Sequence, residues 1–207
     1  MQAKTGARQP YHHGDLRRSL LQAAEAELAE RGVEGFSLRG CARRAGVSHA
    51  APAHHFKDVA GLLAALAADG FGRLLAAMEE RAAGSSADPQ ARLVALGLGY
   101  IGFADANPAL FRLMFGSNRP DYDDAPLADA ASTAFSNLVE GVEGVAGPAA
   151  LDSAEGRRRV AAMWAIAHGL AELTILHRLG FLTPDRGRPP ESELAAILSG
   201  VVAGQAD

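Results

Sequence analysis

The stretch RRAGVSHAAPAHHF, Arg43 to Phe56, concentrates groups able to hydrogen-bond to a polyanion: Ser48, His49, His54 and His55, with Lys57 just beyond. His54 and His55 are adjacent, so on a helix they point about 100° apart and cannot both face bases. The segment carries a proline, Pro52, and is too short to hold a core. Its form suits insertion into the major groove of DNA, which is about 12 Å wide.

A second constellation is Trp164, His168 and Glu172, spaced i, i+4, i+8 within an apolar run. A buried histidine and carboxylate must be hydrogen-bonded. Two readings stay open. One is a His168–Glu172 pair tying neighbouring helices; the other is a few polar groups inside an apolar ligand cavity walled by Tyr100, Phe103, Phe111, Met114 and Phe115. Other chemistry lacks its parts. No two histidines sit at i, i+4, and the single cysteine, Cys41, cannot build a thiolate cluster. There is no phosphate-cradling loop, no GxSxG elbow and no nucleophile paired with His168 and Glu172, so no metal, cofactor or enzymatic activity is expected.

The elements that must position these groups read as all-α, about nine helices with no strand-like alternation. Leu16, Leu20, Ala24 and Leu28 stripe a helix from about Gly14 to Arg31. Ser37 caps a second helix that Gly46 ends, and Ser48 is placed to cap a third ending near Phe56. A long helix follows from about Asp58 to Ala83. Asp88-Pro89 and Asn107-Pro108 each read as N-cap plus first-turn proline, opening helices at about 89–106 and 108–115. Further helices span about 126–146, Asp152 to Leu179 and Glu191 to Ala203. The helix from Asp152 is apolar on nearly all faces and is expected to be buried.

Composition sets limits. Of 207 residues 48% are hydrophobic, enough for a core. The net charge of −4 conceals an asymmetry: residues 1–60 hold nine Lys/Arg against six acids, +3, and the rest eleven against eighteen, −7. A basic head on an acidic body fits polyanion contact at one end. With one cysteine, no secretory signal and no apolar run of about 18–20 residues, a soluble cytoplasmic protein without membrane contact is expected.

SLRGCARRAGVSHAAPAHHF, preceded by a helix and followed by LLAAL, resembles the DNA-binding domain of TetR-type transcriptional regulators. YHHGDLR (Tyr11 to Arg17), NPALFRLMF (Asn107 to Phe115) and WAIAHG (Trp164 to Gly169) resemble one branch, whose C-terminal domain is named for a Trp…His-Gly motif. The resemblance covers nearly the whole chain. It implies a helix-turn-helix DNA-binding domain with a flexible arm over residues 1–57, and a helical regulatory and dimerisation domain over 58–207. Ser37 and Arg39 would meet the DNA backbone. Ser48, His49, Ala50, Ala53 and His54 would face the groove, and His55 and Lys57 phosphates; Lys4 and Arg8 of the arm are candidates for the minor groove. It also implies a homodimer on a near-palindromic operator, released by a small molecule in the body, with Leu194, Ile197, Leu198 and Val201 as the dimer stripe. Ala53 stands where the family usually has a phosphate-contacting tyrosine, and Val59 where it has a lysine. Losing those contacts would weaken DNA affinity and flatten its salt dependence. The alternative is a ligand- or protein-binding helical module whose DNA head is degenerate.

Overall fold

The computed structural model describes residues 13–203, so the arm residues Lys4 and Arg8 lie outside the described part. Among the described residues there are nine α-helices and no strand. They are α1 His13–Arg31, α2 Leu38–Ala45, α3 Ala51–Phe56, α4 Val59–Ala83, α5 Pro89–Ala106, α6 Pro108–Gly116, α7 Ala125–Ala146, α8 Ala154–Ile175 and α9 Glu191–Ala203. A 3-10 turn at Gly180–Leu182 lies inside the connection to α9.

Helix starts follow short polar side chains, because the first turn of a helix leaves N–H groups without partners. Ser37 Oγ accepts from the Gly40 N–H at 3.1 Å, Asp58 Oδ1 from Gly61 at 2.9 Å, and Asp88 Oδ2 from Ala91 at 3.0 Å. Gly46 ends α2 at φ +66°, a left-handed conformation that costs a glycine little. Two expectations need correction. The eighth helix begins at Ala154, capped by Ser153, rather than at Asp152, and stops at Ile175, short of Leu179. The third helix is not capped by Ser48: its N-cap is Ala50, which makes no side-chain cap bond. Pro52 is the reason. A helix capped at Ser48 would place Pro52 where an N–H must bond back four residues, and proline has none; beginning at Ala51 puts it harmlessly in the first turn.

The long α4 is the central element, packed by α1 and α3 on the head side and by α5, α6 and α7 in the body. At 25 residues it is long and apolar enough to cross a membrane, contrary to the sequence expectation, but Leu62, Leu63, Leu66, Phe71, Leu74 and Met78 are buried in this fold. It meets α5 at very close range. A Cβ on Gly99 would lie 2.7 Å from the Ala77 carbonyl oxygen, so glycine is what lets the two backbones touch. The expectation that α8 is buried on nearly all faces is overturned. Met163, Ala167, Leu170 and Ala171 face the core, whereas Trp164, Leu173 and Leu176 are exposed.

Candidate functional site

In the head, α3 is anchored from beneath and bare on its outer side. Pro52 and Phe56 are buried, while Ser48, His49, Ala50, Ala53 and His54 are exposed, with His55 half-buried. Arg39 and Lys57 are exposed beside them. The Arg17 guanidinium of α1 lies 5.2 Å from the Phe56 ring centre, a cation–π contact that clamps the end of α3. Ser37 departs from its expected role. Its hydroxyl is already engaged, accepting from Gly40 N–H and donating towards Glu27 Oε1 at 3.5 Å.

Glu27 is the polar residue that sequence reasoning missed. Its carboxylate, 1% exposed, accepts from Arg44 Nε at 2.7 Å, and Arg44 also holds Glu30. A Cβ on Gly40 would overlap the Glu27 carboxylate, so the absence of a side chain there makes room for the charge. α1 and α2 are thus joined by an ion pair whose carboxylate is buried and whose guanidinium reaches solvent, and α2 in turn sets the turn at Gly46. Cys41, beside this pair, is wholly buried; burial and then the Glu27 carboxylate push its thiol up to about 11.

In the body, α4, α5, α6, α7 and α8 line a cavity of about 430 Å³. Tyr100, Phe115 and Trp164, expected as wall residues, do line it, together with Phe71, Leu74, Met78, Leu96, Phe135, Leu138 and Met163. Phe135 and Trp164, both partly exposed, stand at its rim with ring centres 5.9 Å apart.

Phe103, Phe111, Met114, His168 and Glu172 do not line the cavity. Phe111 is completely buried behind it, its ring edge-on to Tyr100 with centres 5.6 Å apart. Phe103 and Met114 are core residues. The expected His168–Glu172 bond is not among the hydrogen bonds of the described residues; His168 Nδ1 instead lies 2.8 Å from the Tyr100 hydroxyl. Burial holds that hydroxyl far above the usual phenol range, offset in part by a hydrogen bond from the Trp164 side chain and reinforced by the Glu172 carboxylate. His168 and Tyr100 thus share one hydrogen bond, which joins α8 to α5. The Trp…His spacing of four residues therefore brings both rings to one tyrosine on α5.

The expected dimer stripe also divides. Leu194 and Leu198 are buried in the chain's own core, Leu198 against Gly97 of α5, so they offer nothing to a second chain; Ile197 and Val201 are half-buried. The outward side of α9 carries Ala196, Ser199, Gly200 and Ala203. Among the described residues no cluster of His, Cys, Asp and Glu is arranged to hold a metal ion.

Comparison with known proteins converges on one family. The family model described as "Tetracyclin repressor-like, C-terminal domain" matches residues 93–197, and that described as "Bacterial regulatory proteins, tetR family" matches residues 20–66. A protein of unknown function from Rhodococcus sp. RHA1 has a similar structure, with TM-score 0.78, 36% identity, and 97% of this chain and 100% of that one covered. A TetR-like transcriptional regulator from the same organism aligns at TM-score 0.62 and 18% identity, covering 95% and 97% of the two chains. PfmR, a TetR family transcriptional regulator from Thermus thermophilus, aligns at 0.59 and 19%, covering 88% and 96%. No curated protein matches the chain.

Proposed function

The chain belongs to the TetR family of transcriptional regulators, which are not enzymes, and we propose that it is a cytoplasmic homodimeric repressor that an uncharged apolar effector releases from DNA. Residues 1–57 form the DNA-binding unit and 58–207 the regulatory and dimerisation unit. The observation that carries the reading is α3 itself: a six-residue helix fixed by Pro52 and Phe56, with His49, Ala50, Ala53 and His54 open to the outside. A helix that contributes so little to its own core is built to touch something else. His49 and His54 read base edges, while Arg39, His55 and Lys57 hold phosphates and set the register. Ser37 supports them from within.

The cavity supports the second half. Its walls bring no ionisable side chain except the protonated Tyr100, so a charged effector would lose its hydration without gaining a partner. The exposed apolar side of α8, with Leu173 and Leu176, and the small outward residues of α9 suit a second copy of the chain. Two recognition helices fit successive major grooves only at a separation near 34–36 Å or a multiple of it, so a modest change in head spacing is enough for release. A duplex enriched from random sequence, titrated by fluorescence anisotropy, tests the head. His49→Ala is expected to weaken binding about fivefold or more, close to 1 kcal/mol, with folding stability changed by less than about 0.5 kcal/mol. Unchanged binding by that variant would remove His49 from the reading set.

A further inference from the structure

Between the head and the cavity lies a polar joint that neither site accounts for. Arg73, on α4, reaches both carboxylate oxygens of Glu25 on α1 with Nη1 at 2.9 Å, and its Nη2 is 2.6 Å from Asn107 Oδ1. Asp69, one turn earlier, lies 3.6 Å from the same Nη1. One guanidinium thus ties a head helix, the central helix and the start of α6. Asn107 is the telling partner. It precedes Pro108 at the N-terminus of α6, where an asparagine normally caps the free N–H groups. It makes no cap bond here: its Oδ1 accepts from Arg73, and its Nδ2 donates to the Phe103 carbonyl at 2.9 Å. A local bond worth having has been given up for one that crosses between elements.

The far end of α6 is tied to the head as well. Just past it, Arg119 Nη1 donates to the Val33 carbonyl, in the turn between α1 and α2. Between these two ties, α6 carries Phe115, which lines the cavity and meets Phe71 edge-on with ring centres 5.3 Å apart. The helix is therefore held to the DNA-binding head at both ends and meets the cavity through Phe115, near its C-terminal end.

We propose that Arg73 is a positioning residue for regulation: its three-way clamp with Glu25 and Asn107 makes the head follow α6 when the cavity fills. The inference rests on the reading that the cavity takes the effector and α3 takes DNA. Arg73 and Glu25 are each 38% exposed, where an ion pair adds little to folding stability, so the clamp is a link more than a prop. Coupling between two sites is a ratio of affinities, and it needs an element that both sites bias. Here that element is α6.

The test uses the full chain, the enriched duplex and N-phenyl-1-naphthylamine, an uncharged fluorophore of cavity size. The probe's Kd is measured with and without saturating duplex. In the wild type the duplex is expected to weaken the probe about fivefold or more. In Arg73→Gln the ratio should fall below about twofold, with each Kd measured alone changed far less. Asn107→Ser, which gives α6 an ordinary capping hydroxyl and strands Arg73, should do the same from the other side. Arg73→Lys, lacking the fork that spans two acceptors, should fall between them. Thermal melts confirm that the variants fold. A wild-type ratio preserved in both Arg73→Gln and Asn107→Ser overturns the inference and leaves the functional reading intact. Failure of the wild type to bind probe or duplex overturns that reading, and the inference with it.

Discussion

In the first three helices a carboxylate only 1% exposed, Glu27, is held by Arg44 beneath the turn that carries α3; in the body, the polar groups of Tyr100 and His168 satisfy each other and leave about 430 Å³ walled by carbon. The head uses buried charge to fix direction. A buried carboxylate tied to one guanidinium is a poor source of net stability but has a demanding geometry, which suits a short helix proposed to present His49 and His54 to DNA. The body uses the opposite arrangement, hiding its polarity so that the remaining space is lined by apolar side chains. One region is specified by what fills it and the other by what does not.

Substitutions should separate the two designs, and the largest effect belongs to the body's packing. Phe111→Ala removes a completely buried ring behind the cavity and is expected to cost about 3–5 kcal/mol in urea denaturation. A loss below about 1 kcal/mol would place Phe111 in the wall and restore the role its sequence position suggested. Next is the head's turn. Gly46→Ala imposes a Cβ on a residue at φ +66° and is expected to cost about 1–2 kcal/mol, with DNA affinity falling further than stability alone explains. Tyr100→Phe should be milder, about 1 kcal/mol, since it leaves His168 Nδ1 without its hydrogen-bond partner. Because Trp164 is the chain's sole tryptophan, its emission should shift in that variant, and an unchanged spectrum would mean the two side chains do not interact.

An effect that is silent at neutral pH concerns titration. Cys41 in the folded chain ionises at about 11 against an ordinary value of 9.0, because burial and the neighbouring Glu27 disfavour the thiolate. The unfolded chain loses that proton first, so stability should decline as pH rises from about 9 towards about 11 and be insensitive to this group below 9. Cys41→Ser should flatten the decline in chemical denaturation series across that window. An identical slope in the two proteins would show that Cys41 does not cause it.

The fold is legible because helix ends are written in single residues. Ser37, Asp58, Asp88 and Gly46 mark boundaries through local hydrogen bonds and one positive φ, and none of these four is overridden by its tertiary surroundings. Ser48 misleads because a good cap residue is overridden by the proline four places on. The cavity is less legible for a different reason. Phe111 and Phe135 are the same residue type on amphipathic helices, yet one is sealed in the core and the other stands at the rim. A void is a volume left unfilled by several helices at once, and no single side chain signals it. Leu194 and Leu198 mislead similarly: an apolar stripe looks the same whether it faces a partner or the chain's own α5.

Whether the outer side of α3 reads a duplex is decided by selection from random double-stranded DNA followed by footprinting. A two-fold symmetric sequence is expected to be enriched and protected over two successive major grooves, with enrichment lost when His49 and His54 are both replaced by alanine. Retention of all sequences alike, or no retention at low salt, would contradict it.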